Sequence, residues 1–378
     1  MPLQKVAFFL DSPEKGNRRH HIQLRALKEA GFHPKVIFLS GDPSGSYLAF
    51  KGHKETFIPL FLSREKAFHH FSWKALQKLT RVLKEENIEV IWTHRWRLLR
   101  YLIGAKFFVP QLRIVYYIVI KGFLRSPGRR FFFRIFHPRI DKILVNSQAL
   151  LKEVQELGYL PEHKVDLLYS AIEPQEFEVK LFKSEARRLF GLPERDFLFG
   201  MVARFRKEKD HGGLLEAFFR FLQTGRRARL VLVGDGPLED LMRKKARKLH
   251  IDKQVHFLGR IPLSKVPSLL KALDVFVYPT FREGMPMAVM EAMAAGLPII
   301  ATEAEGLSDL FDSSLTFGKL LPPGNPELLA QALVELYDLG EEKRAQLGEA
   351  ARRRILEAFS PEVLSQRTIE IVTHLMKT

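Results

Sequence analysis

Cysteine is absent from the chain of 378 residues, and this absence excludes disulfide bonds, cysteine-ligated zinc and thiol catalysis. Long hydrophobic runs are missing as well, because no apolar stretch reaches the about 18 residues that a membrane-spanning helix needs. The first apolar segment, Val6–Leu10, is too short for the hydrophobic region of a signal peptide and is followed by Asp11. The sequence therefore predicts a cytoplasmic protein.

Acidic residues are few relative to basic ones. The 43 Asp and Glu residues stand against 60 Lys and Arg residues, which gives a formal net charge of +17. A surplus of this size favours an anionic partner: a nucleic acid, an anionic membrane surface or a phosphorylated substrate. A Lys- and Arg-rich thermophile surface is the alternative, but such a surface should carry matching acids.

Apolar segments alternate with amphipathic helical patterns along the whole chain, which predicts an α/β fold built from parallel sheets. The length is too great for one ordinary core and suits two domains. A Lys- and Arg-rich stretch at residues 180–195 marks their junction. We expect one Rossmann-like domain over residues 1–183, a second over residues 184–360, and a final helix at residues 361–378.

The stretch at residues 274–302 has the most informative pattern. An apolar segment, Val275–Tyr278, predicts a buried strand, and a polar loop with Glu283 follows it. An Ala- and Met-rich helix then carries Glu291 and ends before Gly296. Open α/β sheets bind their ligands at loops that follow strand ends, so these two carboxylates occupy a candidate ligand site.

The chemistry of this loop suits a sugar nucleotide. The backbone N–H groups of Gly284 and Met285 precede a helix and could bind a diphosphate. Glu283 could accept hydrogen bonds from sugar hydroxyls, and Glu291 could accept both hydroxyls of a ribose. The alternatives are an acid favoured near a helix start for Glu283 and a surface position for Glu291. The latter is less consistent with the apolar residues around it.

Two basic residues follow an earlier predicted strand. Arg204 and Lys209 lie in the segment VARFRKEKD, directly after the strand at 197–202. Basic side chains at a strand end could neutralise a diphosphate, although Arg206 and Lys207 are equally available on charge alone. The turn Gly234-Asp-Gly-Pro237 follows the next strand and by itself predicts only a turn between strand and helix.

These segments together resemble the retaining glycosyltransferases of family 4. The resemblance rests on VARFRKEKD, LVLVGDGP, VHFLGR and the two glutamates eight positions apart in FREGMPMAVMEAMAAGLPIIAT, and it spans about residues 200–310. A looser match in the first half includes Gly16, Thr93-His94 and VNSQALLKEVQELG. The resemblance implies the GT-B fold, in which two Rossmann-like domains face each other across a cleft. It also implies a C-terminal helix that packs back on the first domain.

The resemblance assigns roles to residues on the donor side. Arg204 and Lys209 would bind and stabilise the leaving nucleotide diphosphate, and Glu291 would hold the ribose. Glu283, with the amides of Gly284 and Met285, would hold the donor sugar and phosphate. Two further contacts are implied, from Arg260 to the base and from the Gly16 loop to the diphosphate.

The first half departs from the family pattern at several positions. Lys15-Gly16 stands where many relatives carry two glycines, and Tyr169-Ser170-Ala171 replaces their usual Asn-Gly turn. Lys121 stands where many relatives carry a histidine beside the donor sugar and acceptor. Lys121 could supply positive charge there, and His94 could face the acceptor. An ordinary loop histidine is the alternative reading of His94.

The mechanism implied by the resemblance is transfer with retention at the anomeric carbon, by attack on the same face that the diphosphate leaves. A second carboxylate nucleophile, as in retaining hydrolases, is then not required. The chain contains no Asp-x-Asp motif, so a metal-bridged diphosphate is not indicated. We expect neither a metal nor another cofactor, with Arg204 and Lys209 supplying the positive charge.

Basic and aromatic residues are mixed between residues 95 and 136. The basic members are Arg95, Arg97, Arg100, Lys106, Arg113, Lys121, Arg125, Arg129, Arg130 and Arg134. The segment RRFFFRIF is the hardest to bury, because arginines flank three consecutive phenylalanines. Phe57–Leu62 and Phe68–Trp73 add further aromatic candidates. Such a mixture suits peripheral contact with the inner face of the cytoplasmic membrane and a lipid-linked or lipopolysaccharide-core acceptor. The alternative is that most of these phenylalanines belong to the core.

Two other functions remain open from the sequence. One is a GT-B sugar-nucleotide enzyme with a soluble acceptor, or a sugar-nucleotide epimerase, although the charge argues against a soluble sugar acceptor. The other is a basic nucleic-acid-binding protein on a Rossmann-like scaffold. The second would leave Glu283 and Glu291 without a role, and the sequence shows no recognition-helix or zinc-finger pattern. We therefore expect no nucleic-acid partner.

Overall fold

The computed structural model describes residues 5–62, 71–119, 122–311 and 317–377. Contacts divide the chain into two units, one formed by Met1–Ala171 with Pro361–Thr378 and the other by Ile172–Ser360. The division after Ala171 lies upstream of the boundary at residue 183 that the composition suggested. The final helix belongs to the first unit, as the fold class predicts.

In its described residues, the first unit contains seven strands and six helices before the chain leaves it. The strands are β1 (Val6–Leu10), β2 (Lys35–Phe38), β3 (Phe57–Pro59), β4 (Val90–Thr93), β5 (Arg113–Ile118), β6 (Lys142–Val145) and β7 (Val165–Leu167). The helices are α1 (Arg18–Glu29), α2 (Tyr47–Phe50), α3 (Trp73–Glu85), α4 (Trp96–Ala105), α5 (Pro127–Phe136) and α6 (Gln148–Gln155).

The second unit repeats this alternation over residues 172–360. Its strands are β8 (Phe197–Val202), β9 (Ala228–Val233), β10 (Val255–Gly259), β11 (Val275–Tyr278), β12 (Ile299–Thr302) and β13 (Gly318–Leu321). Its helices are α7 (Lys183–Leu189), α8 (His211–Gln223), α9 (Glu239–Lys248), α10 (Val266–Ala272), α11 (Met287–Ala294), α12 (Glu305–Leu310), α13 (Pro326–Asp338) and α14 (Glu341–Ala358). The chain ends with α15 (Pro361–Lys377).

Both sheets are parallel and share one strand order. The first runs β3-β2-β1-β4-β5-β6-β7 and the second β10-β9-β8-β11-β12-β13. In each sheet the direction of strand addition reverses beside the first strand, between β1 and β4 and between β8 and β11. Such a reversal leaves a crevice at the carboxyl ends of the two strands, where doubly wound folds bind ligands.

Helices cover both faces of the first sheet. One core cluster joins alternate strand residues such as Phe9 to residues of α3, α4, α5 and α6, among them Leu79, Leu102 and Phe133. The other joins Phe8 and its equivalents to α1 and α15. The side chains of β1 are buried on both faces, which explains its unbroken apolar sequence. The helices α3 to α6 therefore form one layer of this unit.

Several elements were not predicted from the sequence. The short strand β3 and the helices α5, α7 and α12 were missed, as was the edge strand β13. The structure also does not describe residues 63–70, so part of the aromatic segment at 68–73 lies outside the described residues. Within the described ranges, no helix is long and apolar enough to cross a membrane.

Asp274, just before β11, ties three parts of the second unit together. Its carboxylate accepts hydrogen bonds from Arg187 Nη2 on α7 and from the backbone N–H of Leu198 on β8, both at 2.7 Å. Lys183 pairs with the other carboxylate oxygen. The Arg187 side chain is 5% exposed, so removing its partner would leave a buried guanidinium without its counter-charge.

We predict that Asp274→Asn lowers the free energy of unfolding of the second unit by about 3 kcal/mol, because a buried ion pair loses one partner. Asp338→Asn, which breaks an exposed pair with Arg226, should cost much less, because water screens that pair. Denaturant titration can separate the units, since all 3 tryptophans (Trp73, Trp92 and Trp96) lie in the first. Far-ultraviolet circular dichroism should show the loss and tryptophan fluorescence should not. Equal losses for the two variants would contradict the role given to Asp274.

Candidate active site

The crevice of the second unit lies between the loops that follow β8 and β11. The loop after β8 ends in a 3₁₀ turn, Lys207–Lys209, which leads into α8. The loop after β11 covers residues 279–286 and leads into α11. Because β8 and β11 are parallel neighbours, both loops leave the sheet at the same edge.

The side chains of Lys209 and Glu283 meet in this crevice. Lys209 Nζ donates to Glu283 Oε2 and also to the hydroxyl of Tyr278, at 2.9 Å. The Lys209 and Glu283 side chains are only 14% and 17% exposed. A positive charge and a carboxylate are thus held side by side, largely out of water, where electrostatic interactions are stronger than at an exposed surface.

Threonine side chains fix the two loops relative to each other. Thr280 Oγ1 donates to the carbonyl of Glu208 at 2.7 Å, and the N–H of Phe281 donates to the same carbonyl at 2.8 Å. Thr302, at the end of β12, accepts from the Thr280 N–H and donates to the Thr280 carbonyl. These hydrogen bonds therefore hold the loop of Glu283 against the loop of Lys209.

Glu291 belongs to the same neighbourhood. It lies on α11, whose flanking residues Val289, Met290, Ala292 and Met293 are buried, while Glu291 itself is half-buried. Burial raises the pKa of Tyr278 well above its usual value, and the negative charges of Glu283, Glu291 and Glu208 raise it further. The structure thus brings Lys209, Glu283 and Glu291 together around one buried tyrosine.

The segment Gly284–Met285 is held by close backbone packing. A Cβ at Gly306, in the first turn of α12, would lie 1.4 Å from the Gly284 carbonyl oxygen and 3.1 Å from Met285 Cα. Only glycine fits at position 306 without moving the loop. Met285 is 9% exposed, so its side chain anchors the loop while Gly284 remains half-buried at the start of α11.

Arg204 and Arg260 lie at the same edge of the sheet but are exposed. Arg204 pairs with Asp235 at 3.5 Å and is 62% exposed. The turn that carries Asp235 packs closely on the Arg204 loop, since a Cβ at Gly234 would lie 2.1 Å from the Ala203 carbonyl oxygen. Gly234 also donates to the carbonyl of Gly259, beside Arg260. The loops after β8, β9 and β10 therefore support one another.

Gly16 and His94 lie in the first unit, after β1 and β4. A Cβ at Gly16 would lie 2.7 Å from Leu48 Cδ1, so packing inside this unit already requires the missing side chain. Lys121 lies outside the described residues, so its predicted role remains a prediction.

His94 lies in a basic and largely buried setting. Its ring is 5.8 Å from that of His20, and both line a small cavity of about 10 Å³ with Trp92 and Tyr117. Burial lowers the pKa of His94 to about 3, and the positive charges of Arg19, Arg95 and Lys15 contribute. Burial likewise lowers the pKa of His20 well below its usual value. His94 is therefore neutral at physiological pH.

Three residues of the second-unit site were not identified from the sequence. Tyr278 ends an apolar strand, and only its hydroxyl group distinguishes it from an ordinary core residue in the sequence. Thr280 follows β11 and Thr302 ends the neighbouring strand β12. Hydroxyl side chains at two adjacent strand ends could have indicated the hydrogen bond between them. In the described part of the chain, no group of three or more His, Asp or Glu side chains is arranged to hold a metal ion.

A groove also lies at the opposite edge of the second sheet. It measures about 1080 Å³ and is lined by residues at the amino ends of β8, β11 and β12, including Asp274 and Pro298. Arg195 and Arg227 also line it. Ligands of doubly wound sheets bind at the carboxyl ends of strands, so the Lys209–Glu283 crevice is the better candidate for the active site.

Two family models match the chain. Residues 182–354 match the model described as Glycosyl transferases group 1, and residues 20–176 match the model described as Glycosyltransferase Family 4. The two matches follow each other without overlap and together cover most of the sequence. The first holds Lys209, Glu283 and Glu291, and the second holds His94.

Curated relatives are similar at a low level of identity. Glycosyltransferase MJ1607 of Methanocaldococcus jannaschii is 27% identical over 234 residues, which cover 61% of this chain and 59% of that protein. The UDP-Gal:alpha-D-GlcNAc-diphosphoundecaprenol alpha-1,3-galactosyltransferase of Escherichia coli is 26% identical over 283 residues, 70% of each chain. The matched segment thus spans less than two thirds of the first relative.

Solved structures share the fold. A glycosyltransferase from Rickettsia africae superposes with a TM-score of 0.84 at 15% identity, covering 99% of both chains. HepE from Anabaena, in complex with UDP-glucose, gives 0.75 at 18% identity and covers 98% of this chain and 99% of its own. The lipopolysaccharide outer core galactosyltransferase WaaB gives 0.73 at 17% identity, covering 98% and 99%. These matches confirm the predicted GT-B fold class.

The lowered pKa of His94 predicts a pH-dependent stability of the first unit. Between about pH 3 and pH 6.5 the unfolded chain binds a proton at His94 that the folded chain does not, so the free energy of unfolding rises with pH and levels off above about pH 7. The slope per histidine is at most about 1.4 kcal/mol per pH unit.

Denaturant titration followed by tryptophan fluorescence at about pH 5 and about pH 7.5 measures this slope. His94→Gln should make the dependence shallower, and His20 should account for part of what remains. An unchanged pH dependence in His94→Gln would contradict this prediction, because it would show that the pKa of His94 is the same in the folded and the unfolded chain.

Proposed function

We propose that this chain, which belongs to the glycosyltransferases with a Glycosyltransferase Family 4 domain and a group 1 domain, transfers a sugar from a nucleotide-diphosphate sugar to a lipid-linked or lipopolysaccharide-core acceptor. The family membership agrees with the resemblance predicted from the sequence. The single observation that carries the proposal is the pairing of Lys209 with Glu283 at the switch point of the second sheet.

Lys209 would hold the leaving diphosphate. Its ammonium is fixed by Glu283 and Tyr278 and is largely shielded from water, so a diphosphate bound beside it meets a positive charge that is already in place. A fixed charge costs no reorganisation when negative charge develops on the leaving group. Arg204 would reach the same diphosphate from its exposed position, exchanging its weak contact with Asp235 for a stronger one.

Two carboxylates would bind the sugar and the ribose. Glu283 would accept hydroxyl hydrogen bonds from the donor sugar, and the amides of Gly284 and Met285 would bind a phosphate oxygen at the start of α11. Glu291 would accept both ribose hydroxyls, because an ionised carboxylate has two acceptor oxygens. Arg260 would lie near the base. All these residues except Arg260 lie on the two loops and the helix that meet in the crevice, or directly beside them.

The proposed reaction retains the configuration at the anomeric carbon. The bond from that carbon to the diphosphate oxygen breaks, a bond to the acceptor hydroxyl oxygen forms on the same face, and the hydroxyl proton passes to a phosphate oxygen. The protein contributes positioning and charge, so the proposal requires neither a carboxylate nucleophile nor a metal ion. In the first unit, neutral His94 and the undescribed Lys121 would lie on the acceptor side.

The acceptor is proposed from chemistry and from similarity. The Escherichia coli relative is named for a lipid-linked acceptor, a diphosphoundecaprenol sugar, and WaaB for the lipopolysaccharide outer core. The net charge of +17 favours an anionic partner. We accordingly propose that the protein acts as a peripheral protein at the inner face of the cytoplasmic membrane.

Donor binding tests this function. A thermal-shift panel of UDP-glucose, UDP-N-acetylglucosamine and GDP-mannose should show a shift for one nucleotide class, unchanged by a metal chelator. Glu291→Gln should weaken that binding about ten- to hundredfold, because hydrogen bonds to a charged group contribute about 1.5–3 kcal/mol. Lys209→Gln should weaken it at least as much.

Glu335→Gln is the matched control, since it removes an exposed helix glutamate that pairs with Lys319. This variant should bind the donor as the wild type does. No shift with any nucleotide sugar, or equal loss in Glu335→Gln and Glu291→Gln, would count against the proposed site.

A further inference from the structure

The segment RRFFFRIF forms most of the helix α5, and its phenylalanines differ in burial. Phe133 is fully buried and stacks on Trp96 with ring centroids 6.0 Å apart and an angle of 20° between the rings. Phe131 is 67% exposed, and Ile135, one helical turn later, is 49% exposed. Residues four apart lie on one helix face, so Phe131 and Ile135 form an outward apolar ridge.

Arginines without acidic partners border this ridge. Arg130 and Arg134 have the same spacing of four residues, and both are exposed. Arg125, just before the helix, is exposed as well. Within the ranges that the structure covers, none of the three lies within ion-pair distance of a carboxylate, so their charge is available to a partner. The helix therefore presents an apolar ridge beside a row of cations.

Other basic residues between positions 95 and 136 are engaged in ion pairs within the first unit. Arg95 and Arg97 pair with Asp11 at 3.3 and 2.8 Å. Lys106 and Arg113 pair with Asp141, which also accepts the Ile114 N–H at 2.8 Å. The unpaired cations are thereby concentrated on and before α5.

The end of α4 continues the exposed apolar surface. Phe107 and Phe108 directly follow α4 and are each 56% exposed. The Arg139 guanidinium, three residues beyond α5, lies 4.0 Å from the centre of the Phe107 ring, and Lys106 Nζ donates to the Arg139 carbonyl at 3.0 Å. These contacts join the end of α4 to the end of α5.

A groove of about 610 Å³ extends this surface to α3. It is lined by Trp73, Leu76, Thr80 and Lys84 of α3 together with Phe108, and the ion pair of Arg81 with Glu85 also lines it. Trp73 is 69% exposed. The helices α3, α4 and α5 pack on one core cluster and form one layer on one face of the sheet. The exposed apolar side chains on or next to these helices include Trp73, Phe107, Phe108, Phe131 and Ile135.

We infer that this surface, here called the α3–α5 surface, docks the protein on an anionic lipid bilayer. Single exposed apolar side chains are common, but a row of five aromatic or aliphatic side chains in one helical layer is not. Aromatic side chains settle at the level of lipid headgroups, and unpaired arginines beside them are attracted to anionic headgroups. The inference deepens the proposed function, because it names how the enzyme would reach a lipid-linked acceptor.

Charge favours a bilayer over a protein partner. A protein interface usually excludes unpaired charge from its centre, whereas a headgroup layer accepts arginines and inserted aromatics together. A nucleic acid would attract the arginines, but outward-facing Ile135 and Phe131 on a helix give it no stacking platform of the usual sheet or groove type. Nucleic-acid binding is therefore an outcome that the test must separate.

Vesicle flotation of the full chain tests the inference. With phosphatidylcholine vesicles that contain phosphatidylglycerol we expect the protein to float, and with phosphatidylcholine alone much less. Phe131→Ser with Ile135→Ser should lower the partition coefficient about tenfold on anionic vesicles, because both inserted side chains are lost. Arg130→Gln with Arg134→Gln should lower it by a similar factor and remove the dependence on anionic lipid.

Matched controls come from the second unit. Phe182→Ser with Leu263→Ser removes two side chains that are each 78% exposed but lie outside the α3–α5 surface. Arg195→Gln with Arg227→Gln removes two exposed arginines of the groove at the amino ends of the strands. Both double variants should float as the wild type does. Melting curves should show that all four double variants remain folded.

Three results would overturn the inference: no flotation with either vesicle, equal flotation with and without anionic lipid, or equal loss in the variants and the controls. Competition of flotation by a short single-stranded RNA, with the RNA retained by Phe131→Ser/Ile135→Ser, would assign the arginines to nucleic acid instead. Donor thermal shifts should be unchanged in the α5 variants. Failure of donor binding with intact flotation would thus reject the proposed function and leave the docking surface standing.

Discussion

The contact between Lys209 and Glu283 is the interaction on which the active-site arrangement of the second unit depends. It forms across two loops that are 74 residues apart in sequence and that meet only because β8 and β11 pair in the sheet. Thr280 and Thr302 fix the loop of Glu283, and the 3₁₀ turn before α8 fixes Lys209. The Tyr278 hydroxyl accepts a second hydrogen bond from the Lys209 ammonium at 2.9 Å. In the proposed function, this fixed ammonium would lie beside the leaving diphosphate.

The two units use the same strand order but place different chemistry at the reversal point. In the second unit, the crevice combines one half-buried lysine with two glutamates. In the first, His94 and Arg95 follow β4 and Arg97 lies in the first turn of α4, and the two arginines pair with Asp11 after β1. The basic side chains likewise have different roles, since some of them form ion pairs within the fold, such as those with Asp141 and Asp274. Other cations, among them Arg130 and Arg134 on α5, form no ion pair within the described residues.

The sequence predicted the parts that depend on local pattern. The strand β11, the loop with Glu283 and the helix with Glu291 follow from apolar runs and stop signals, and the observed helix α11 ends one residue before the predicted end. The helix α5 was missed because three adjacent phenylalanines give no 3.6-residue alternation. Only the packing of Phe133 against Trp96 shows which ring faces inward. Gly306 was missed because its requirement comes from the Gly284 carbonyl, a contact between loops that no local pattern encodes.

Hydrogen exchange measured by mass spectrometry on the full chain, with and without a nucleoside diphosphate, tests the central claim most directly. Uridine diphosphate and guanosine diphosphate are the probes. The account predicts slower exchange in residues 204–213 and 280–291, the loops of Lys209 and Glu283 with the start of α8 and most of α11. Protection confined to the groove of Arg195 and Arg227, or no protection with either nucleotide, would contradict it.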